Sequence, residues 1–462
     1  MKITSVRGLL FASALCALAI GARAQVIELR ATINGAQENP AVTTTATGTA
    51  IMLYDVAANT FDLFVSITGF TNLATQSHIH EGAVGSNGAV KTNLGGETVY
   101  TRNGNTLTAA FRNVAQGGDK LTLIRGGAYF NLHSAQFPGG EVRGQLIATP
   151  IRLVANLDIA QEQAARPTPI LTGVINNGGA VASYDPTANT ISIRHSLYNF
   201  TSTFTNSHIH IGGPNVSGDV IVPLGASATA GAYNSTNGHI SGNHDAVPYA
   251  PSLAEITALL TGGTYLNYHS QAFGGGQLRG QLTVSTEIPS TRMGNLSTRG
   301  FVGTGDQVLI GGISVQGTEP VRMLITAKGP SLTAFGVAGA LANPRLALFD
   351  SAGRQIAAND DIGVITGTEL ARIPGAPTNA LESALVVVLP PGNYTAIVSA
   401  ATGTGIAIVE AYDLRNLPST LTIASTQPAR VASPTQGLAS INGKAAQPEL
   451  CVATPLVVVA SR

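Results

Sequence analysis

The residues of this chain best suited to chemistry are histidines at close spacing. Ser77-His78-Ile79-His80 recurs as Ser207-His208-Ile209-His210. Side chains alternate along a strand, so His78 and His80 share a face opposite Ile79. A third histidine stands in each of two related later segments. It is His133 in YFNLHSAQFPGGEVRGQL (Tyr129–Leu146) and His269 in YLNYHSQAFGGGQLRGQL (Tyr265–Leu282). Three neutral imidazoles are enough to hold zinc or copper. The triads His78, His80, His133 and His208, His210, His269 are therefore candidate metal sites. Two other uses fit the same residues: a hydrogen-bonded structural network, and a ligand patch for an extracellular polymer or protein.

The same alternation sets Tyr129, Asn131 and His133 opposite the core candidates Phe130 and Leu132. It likewise sets Glu141, Arg143 and Gln145 opposite Val142 and Leu146. One polar cluster of His78, His80, His133, Glu141 and Arg143 is expected, with His208, His210, His269, Gln277 and Arg279 as its copy. A general acid or base must be present wherever the activity is. Glu141 becomes Gln277 and Glu81 becomes Ile211, and an amide does not titrate. No G-x-S-x-G or H-E-x-x-H motif occurs. These residues point away from an enzyme. A guanidinium beside a bound cation is also unfavourable unless a carboxylate intervenes. Arg143 and Arg279 are expected to pair with Glu38 and Glu162, the acids of the repeated Ala-Gln-Glu, tying the first strand of each unit to its last.

These motifs belong to a tandem duplication. Tyr54-Asp55 returns 130 residues later as Tyr184-Asp185, and the longer motif returns after 136, from Tyr129 to Tyr265. Thr60–Phe70 alternates as a half-buried strand, and Asp55–Asn59 before it is turn chemistry. The clearest helix signal is Ser252–Leu260, with Ser at the N-cap, Glu255 three residues on and Gly262 after it. Its counterpart falls within Val114–Ile124. His195, His239 and His244 have no partner in the first copy and read as surface or loop residues.

The ends set the compartment. Lys2 and Arg7, the apolar run Leu9–Ile20 and Ala22-Arg23-Ala24 read as a signal peptide over residues 1–24. Cleavage would remove Lys2, Arg7 and Arg23 from 25 basic residues, leaving 22 against 25 acidic ones and a charge of −3. That balance does not suit a nucleic-acid binder. It would also leave Cys451 as the single cysteine, so an internal disulfide is excluded. No second long apolar segment suggests a membrane span. With 53 glycines and no tryptophan the chain suits secreted all-β modules rich in turns. After a linker at 286–295 the composition shifts. Residues 296–415 read as a β-sandwich, and 416–462 as a flexible tail. Asn359-Asp360-Asp361 in the third domain offers oxygens to calcium.

Ala-Gln-Glu, SHIHEG with its Gly-rich turn, and YFNLHS followed by FPGGEVRGQL resemble the CHRD domain, named for chordin. The resemblance covers both copies, 25–149 and 150–285, and implies extracellular immunoglobulin-like or β-barrel folds. In chordin the domain is associated with secreted growth factors, a ligand that does not carry over to a chain with bacterial features. His-x-His plus a distant His is similar to part of the ligand set of copper–zinc superoxide dismutases, without their further histidines or bridging ligand. LSTRGFVGTGDQVLIGGISV and LPPGNYTAIVSA resemble a module common in secreted proteins of environmental bacteria, which implies location and architecture but no activity. The expectation is an all-β, secreted or periplasmic, non-catalytic binding or scaffold protein. Its partner would be an extracellular protein or polysaccharide, and the triads supply the alternative, zinc or copper binding.

Overall fold

The computed structural model describes residues 25–162, 177–200, 202–225, 233–236, 239–285, 295–362, 373 and 375–414. The expected signal peptide, nearly all of the linker and the tail lie outside these residues. Contacts divide the chain into two compact units, one holding residues 25–149 with Ser252–Thr261 and the other the remainder. Among the described residues no helix is long and apolar enough to cross a membrane.

The first unit has nine strands: β1 (Val26–Asn34), β2 (Thr47–Asp55), β3 (Thr60–Thr68), β4 (Ala74–Glu81), β5 (Ala89–Gly95), β6 (Thr101–Asn103), β7 (Thr106–Ala115), β8 (Ala128–Ser134) and β9 (Val142–Ala148). They form one sheet in the order β5-β4-β8-β9-β1-β2-β3-β7-β6. The edge strands β5 and β6 are consecutive in the chain. Laid flat, nine strands at about 4.8 Å spacing would separate them by roughly 38 Å. The six Cα steps from Gly95 to Thr101 reach at most roughly 22 Å. The sheet must therefore roll up. Thr92 on β5 does meet the far end of the sheet, its hydroxyl accepting from Gly117 N at 3.3 Å. Ile27, Leu29, Met52, Phe61, Leu63, Ile79, Phe130, Leu132, Val142 and Leu146 are buried and fill the interior of this barrel-like sheet.

The duplicate repeats the arrangement. Its strands are β10 (Ile151–Asp158), β11 (Asn177–Asp185), β12 (Thr190–Tyr198), β13 (Phe204–Ile211), β14 (Val220–Gly225), β15 (Tyr233–Thr236), β16 (His239–Pro248), β17 (Thr264–Ser270) and β18 (Leu278–Val284). The order is β14-β13-β17-β18-β10-β11-β12-β16-β15. Helix α1 (Lys120–Ile124) follows the Asp119 N-cap. It is shorter than the expected segment because Val114 and Ala115 complete β7. Helix α2 (Leu253–Leu260) carries the full capping box between Ser252 and Glu255.

The third part has β19 (Asn295–Val302), β20 (Leu309–Val315), β21 (Val321–Lys328), β22 (Pro344–Phe349), β23 (Gln355–Asn359), β24 (Ser383–Leu389), β25 (Gly392–Ala400) and β26 (Gly405–Asp413). Sheets β19-β26-β21-β24 and β20-β25-β22-β23 share one core that includes Ile313, Met323, Leu348, Val387, Val398 and Val409. This part docks on the outer face of β12. Ser196 Oγ accepts from Val388 N at 3.0 Å and Tyr198 donates its hydroxyl proton to Val388 O at 3.0 Å.

The structure corrects the reading of three histidines: by alternation His195 and His244 face the barrel interior, and His239 lies on the outer side beside Tyr198. In β3 only alternate residues are buried, whereas β12 is buried on both faces. His195, His239 and His244 are all buried, not surface or loop residues. His195 meets Tyr268 edge-on with ring centroids 4.8 Å apart and stacks on His244 at 5.6 Å. His239 stacks on Tyr198 at 5.2 Å. By register, the first unit has Val65 and Phe111 where the second has His195 and His244. Burial is the main cause that holds His239 and His244 down to about 4 and His195 well below its ordinary value. Unfolding returns them to about 6.5, so the stability they contribute is present above pH 6.5 and lost as pH falls toward 4. At His244 alone this is on the order of 3 kcal/mol. The double substitution His195→Val, His244→Phe should flatten the acid-side fall in melting temperature; an unchanged slope between pH 6.5 and 4 would place the acid sensitivity elsewhere.

Candidate metal centre

Strands β4 and β8 pair so that His78 faces Asn131, His80 faces Tyr129 and Gln76 faces His133. All three histidines stand on the outer face, with Ile79, Phe130 and Leu132 beneath them in the interior. His133 thus lies diagonally across from His78, within reach of it. His78 Nδ1 is 3.2 Å from His133 Nε2, and the three potential ligand nitrogens lie within 4.8 Å of one another. His208, His210 and His269 repeat this, again at 3.2 Å and within 4.8 Å.

Two rings of each triad are oriented by backbone carbonyls. His80 Nδ1 donates to Gly88 O and His133 Nδ1 to Pro138 O, both at 2.9 Å. A carbonyl oxygen only accepts, so these Nδ1 atoms carry protons, and Nε2 is the nitrogen that such a ring offers as a ligand. His210 and His269 do the same toward Gly218 O (2.9 Å) and Gly274 O (3.0 Å). The Nε2 atoms of His80 and His210 are buried and have no hydrogen-bond partner. A buried polar atom left unpaired is costly, and a metal ion would satisfy it. Tetrahedral zinc at about 2.0–2.1 Å from each nitrogen sets ligand nitrogens roughly 3.3 Å apart, close to the observed 3.2 Å. Burial first, then the neighbouring histidines, hold His78 and His208 down to about 4. His80 and His210 are also lowered, chiefly by burial. These four rings are neutral near pH 7, as ligands must be.

The expected partners fall out differently. Arg143 does not form an ion pair with Glu38. Its guanidinium donates to Ser86 O (2.9 Å), Ala83 O (2.9 Å) and Gln145 Oε1 (3.0 Å), holding the loop after β4 over the triad. Arg279 likewise donates to Gly213 O and Val216 O. The tie between first and last strands is the backbone pairing of β1 with β9, and of β10 with β18. Glu141 also leaves the cluster, because Thr44 and Asn72 occupy its two oxygens at 2.9 Å each. Its counterpart Gln277 is buried. In the third domain, Asn359 Oδ1 accepts from Ala384 N and Asp360 Oδ2 pairs with Arg345 at 2.9 Å, while Asp360 Oδ1 and Asp361 Oδ1 are buried without a hydrogen-bond partner among the described residues.

The sequence reading passed over the role of Tyr129 and Tyr265. Tyr129 stacks on His80 at 4.8 Å and Tyr265 on His210 at 4.8 Å, while their hydroxyls accept from Gly88 N and Gly218 N. Gln145 and Gln281 were missed as well, and their amides donate to Gly82 O and Gly212 O. The available signal was that all four recur in the long repeated motif. The CHRD domain family matches residues 29–146 and again 153–282. The chain belongs to the CHRD-domain family. No curated protein matches it.

The glycine of the CHRD motif FPGGEVRG has a geometric reason. Gly140 has φ +130°, and a Cβ there would lie 2.7 Å from both Asn131 Oδ1 and Glu38 Oε1. Glu38 itself is buried, accepts from Asn131 Nδ2 at 3.2 Å and has no partner for Oε1. Burial raises it to about 7, against the opposing pull of Arg143 and the Asn131 bond. A carboxyl whose pKa rises on folding stabilises below its unfolded pKa, and that contribution is lost as pH rises through 7. Glu38→Gln should therefore raise the melting temperature at pH 8, by up to about 3 kcal/mol in stability, and much less at pH 4.5. An equal effect at both values would show that the Glu38 charge is not the cause.

Proposed function

We propose that this is an exported, non-catalytic binding protein in which each CHRD unit holds one zinc or copper ion through three histidines. The observation that carries the reading is the repetition of the same three-nitrogen geometry in two units whose acids at positions 81 and 141 were not kept. The second copy replaced Glu141 with Gln277 and Glu81 with Ile211, yet both copies keep the carbonyl-anchored rings and the unpartnered buried Nε2. Retention of the ligands while Glu141 and Glu81 gave way supports binding over acid–base chemistry by those two carboxylates. Glu141 is in addition held by Thr44 and Asn72, away from the triad. The secretory character of the first 24 residues supports an extracellular or periplasmic place of work, where repetition adds avidity toward a protein or polysaccharide partner.

His78, His80 and His133 would hold one ion, and His208, His210 and His269 the other, leaving a further coordination position for water or a ligand. Purified mature protein should carry close to two equivalents of zinc or copper by elemental analysis. His80→Ala or His210→Ala should each remove one, and both together should remove both. Saturation at a hundred times Kd should add about 2.7 kcal/mol of stability, reversed by chelator. A metal-free protein whose melting temperature ignores both metal and chelator would leave the triads as a structural hydrogen-bonded network.

A further inference from the structure

Each triad has a full positive charge on its far side that nothing nearby neutralises by direct contact. The Arg143 guanidinium carbon lies 3.4 Å over the Tyr129 ring, and Tyr129 stacks nearly parallel on His80, at 10°. In the second unit Arg279 lies 3.5 Å over Tyr265, which stacks on His210 at 8°. Both arginines are buried, at 1 % exposure. Their hydrogen bonds go to backbone carbonyls and glutamine amides, all of them neutral acceptors. Neither makes an ion pair among the described residues. Glu38 is the carboxylate felt by Arg143 and Glu162 the one felt by Arg279, and Glu162 acts on His210 as well, opposing Arg279 there. Burial holds Glu38 near 7, so at neutral pH it cancels only part of the guanidinium charge.

The triads themselves supply no negative charge, since all ligand candidates are imidazoles. A divalent ion bound there keeps its whole double charge in a buried site beside a cation. A monovalent ion suffers half the repulsion. Charge repulsion at this range, through an effective dielectric near 20, is worth on the order of a tenfold change in affinity per unit charge. Imidazole donors suit copper, and copper is the metal of this set with an accessible monovalent state.

We propose that both CHRD sites favour copper(I) over divalent copper and zinc, with Arg143 and Arg279 as the positioning residues that impose the preference through Tyr129 and Tyr265. This rests on the metal reading above and adds the oxidation state and the residues that select it. No electron-transfer step is implied; the inference concerns which ion is held.

The test uses the full mature chain. Copper(I) affinity is read by competition with bicinchoninate under ascorbate, and copper(II) and zinc affinities by competition with chromophoric chelators. Wild-type protein should hold copper(I) more tightly than either divalent ion. The pair Arg143→Gln, Arg279→Gln should lower the copper(I)-to-copper(II) affinity ratio about tenfold or more and shift the reduction potential negative. The pair Arg143→Lys, Arg279→Lys loses the forked hydrogen bonds but keeps the charge, and should keep most of the ratio. Tighter zinc than copper(I) in the wild type overturns the proposal while leaving the metal reading intact, and needs no variant to fold. Equal ratios in the glutamine variants and wild type also overturn it, reducing the arginines to loop anchors. Failure of every ion to bind would instead remove the metal reading itself.

Discussion

The constraint on which both CHRD units depend is the need to satisfy the backbone of a glycine-rich loop laid over the outer face of a rolled sheet. Residues 82–88 and 212–218 follow the strands that carry the paired histidines, and they cover side chains the sheet has already turned outward. Loop carbonyls turned toward the sheet in this way need donors. Arg143, Gln145 and His80 supply them to Ala83, Ser86, Gly82 and Gly88. The same contacts that close the loop also fix the His80 tautomer and aim its free nitrogen at His78 and His133. Loop satisfaction and metal-ligand orientation are one set of hydrogen bonds.

This coupling explains the composition of the strands. The inner face of β8 carries Phe130 and Leu132, while its outer face carries Tyr129, Asn131 and His133, and nearly all are buried. An antiparallel sheet with one wet face would show polar residues exposed on that side. Here the outer polar residues are dry and must be paired with one another, with the loop or with an ion. Gly140 and Gly276 permit it, since any side chain at φ +130° would enter the space of Glu38, Asn131 and their counterparts.

The two copies diverge where their surroundings differ. The first unit keeps a half-exposed outer surface on β3. In the second, the sandwich covers β12 through Ser196, Tyr198 and Val388, and buried His239 stacks on Tyr198 on that side; inside the barrel His195 and His244 stand at the positions of Val65 and Phe111. Across that divergence the triads share the 3.2 Å contact, both carbonyl anchors, the stacked tyrosine and the arginine over it.

Much of this was legible in the residues. Period-two alternation put the three histidines on one polar face, the repeat offsets marked the two units, and six of the eight described strands of the third domain are apolar runs between turns. Local pattern sufficed there because alternation and capping act between near neighbours in the chain. The weakly apolar β19 and the short β23 lacked that signal. Partner choice was decided by tertiary structure. Arg143 and Glu38 looked like an ion pair because both recur in the second copy, yet the guanidinium lies under loop carbonyls 57 and 60 residues away. Glu141 shares a face with Arg143 by alternation, but it sits just before β9 begins and turns to Thr44 and Asn72. His195 and His244 read as surface or loop residues, yet they face the barrel interior, where they meet each other and Tyr268. Sequence spacing determines which side chains share a face; which of them touch, and which lone pairs remain free for a metal, depends on contacts between segments far apart in the chain.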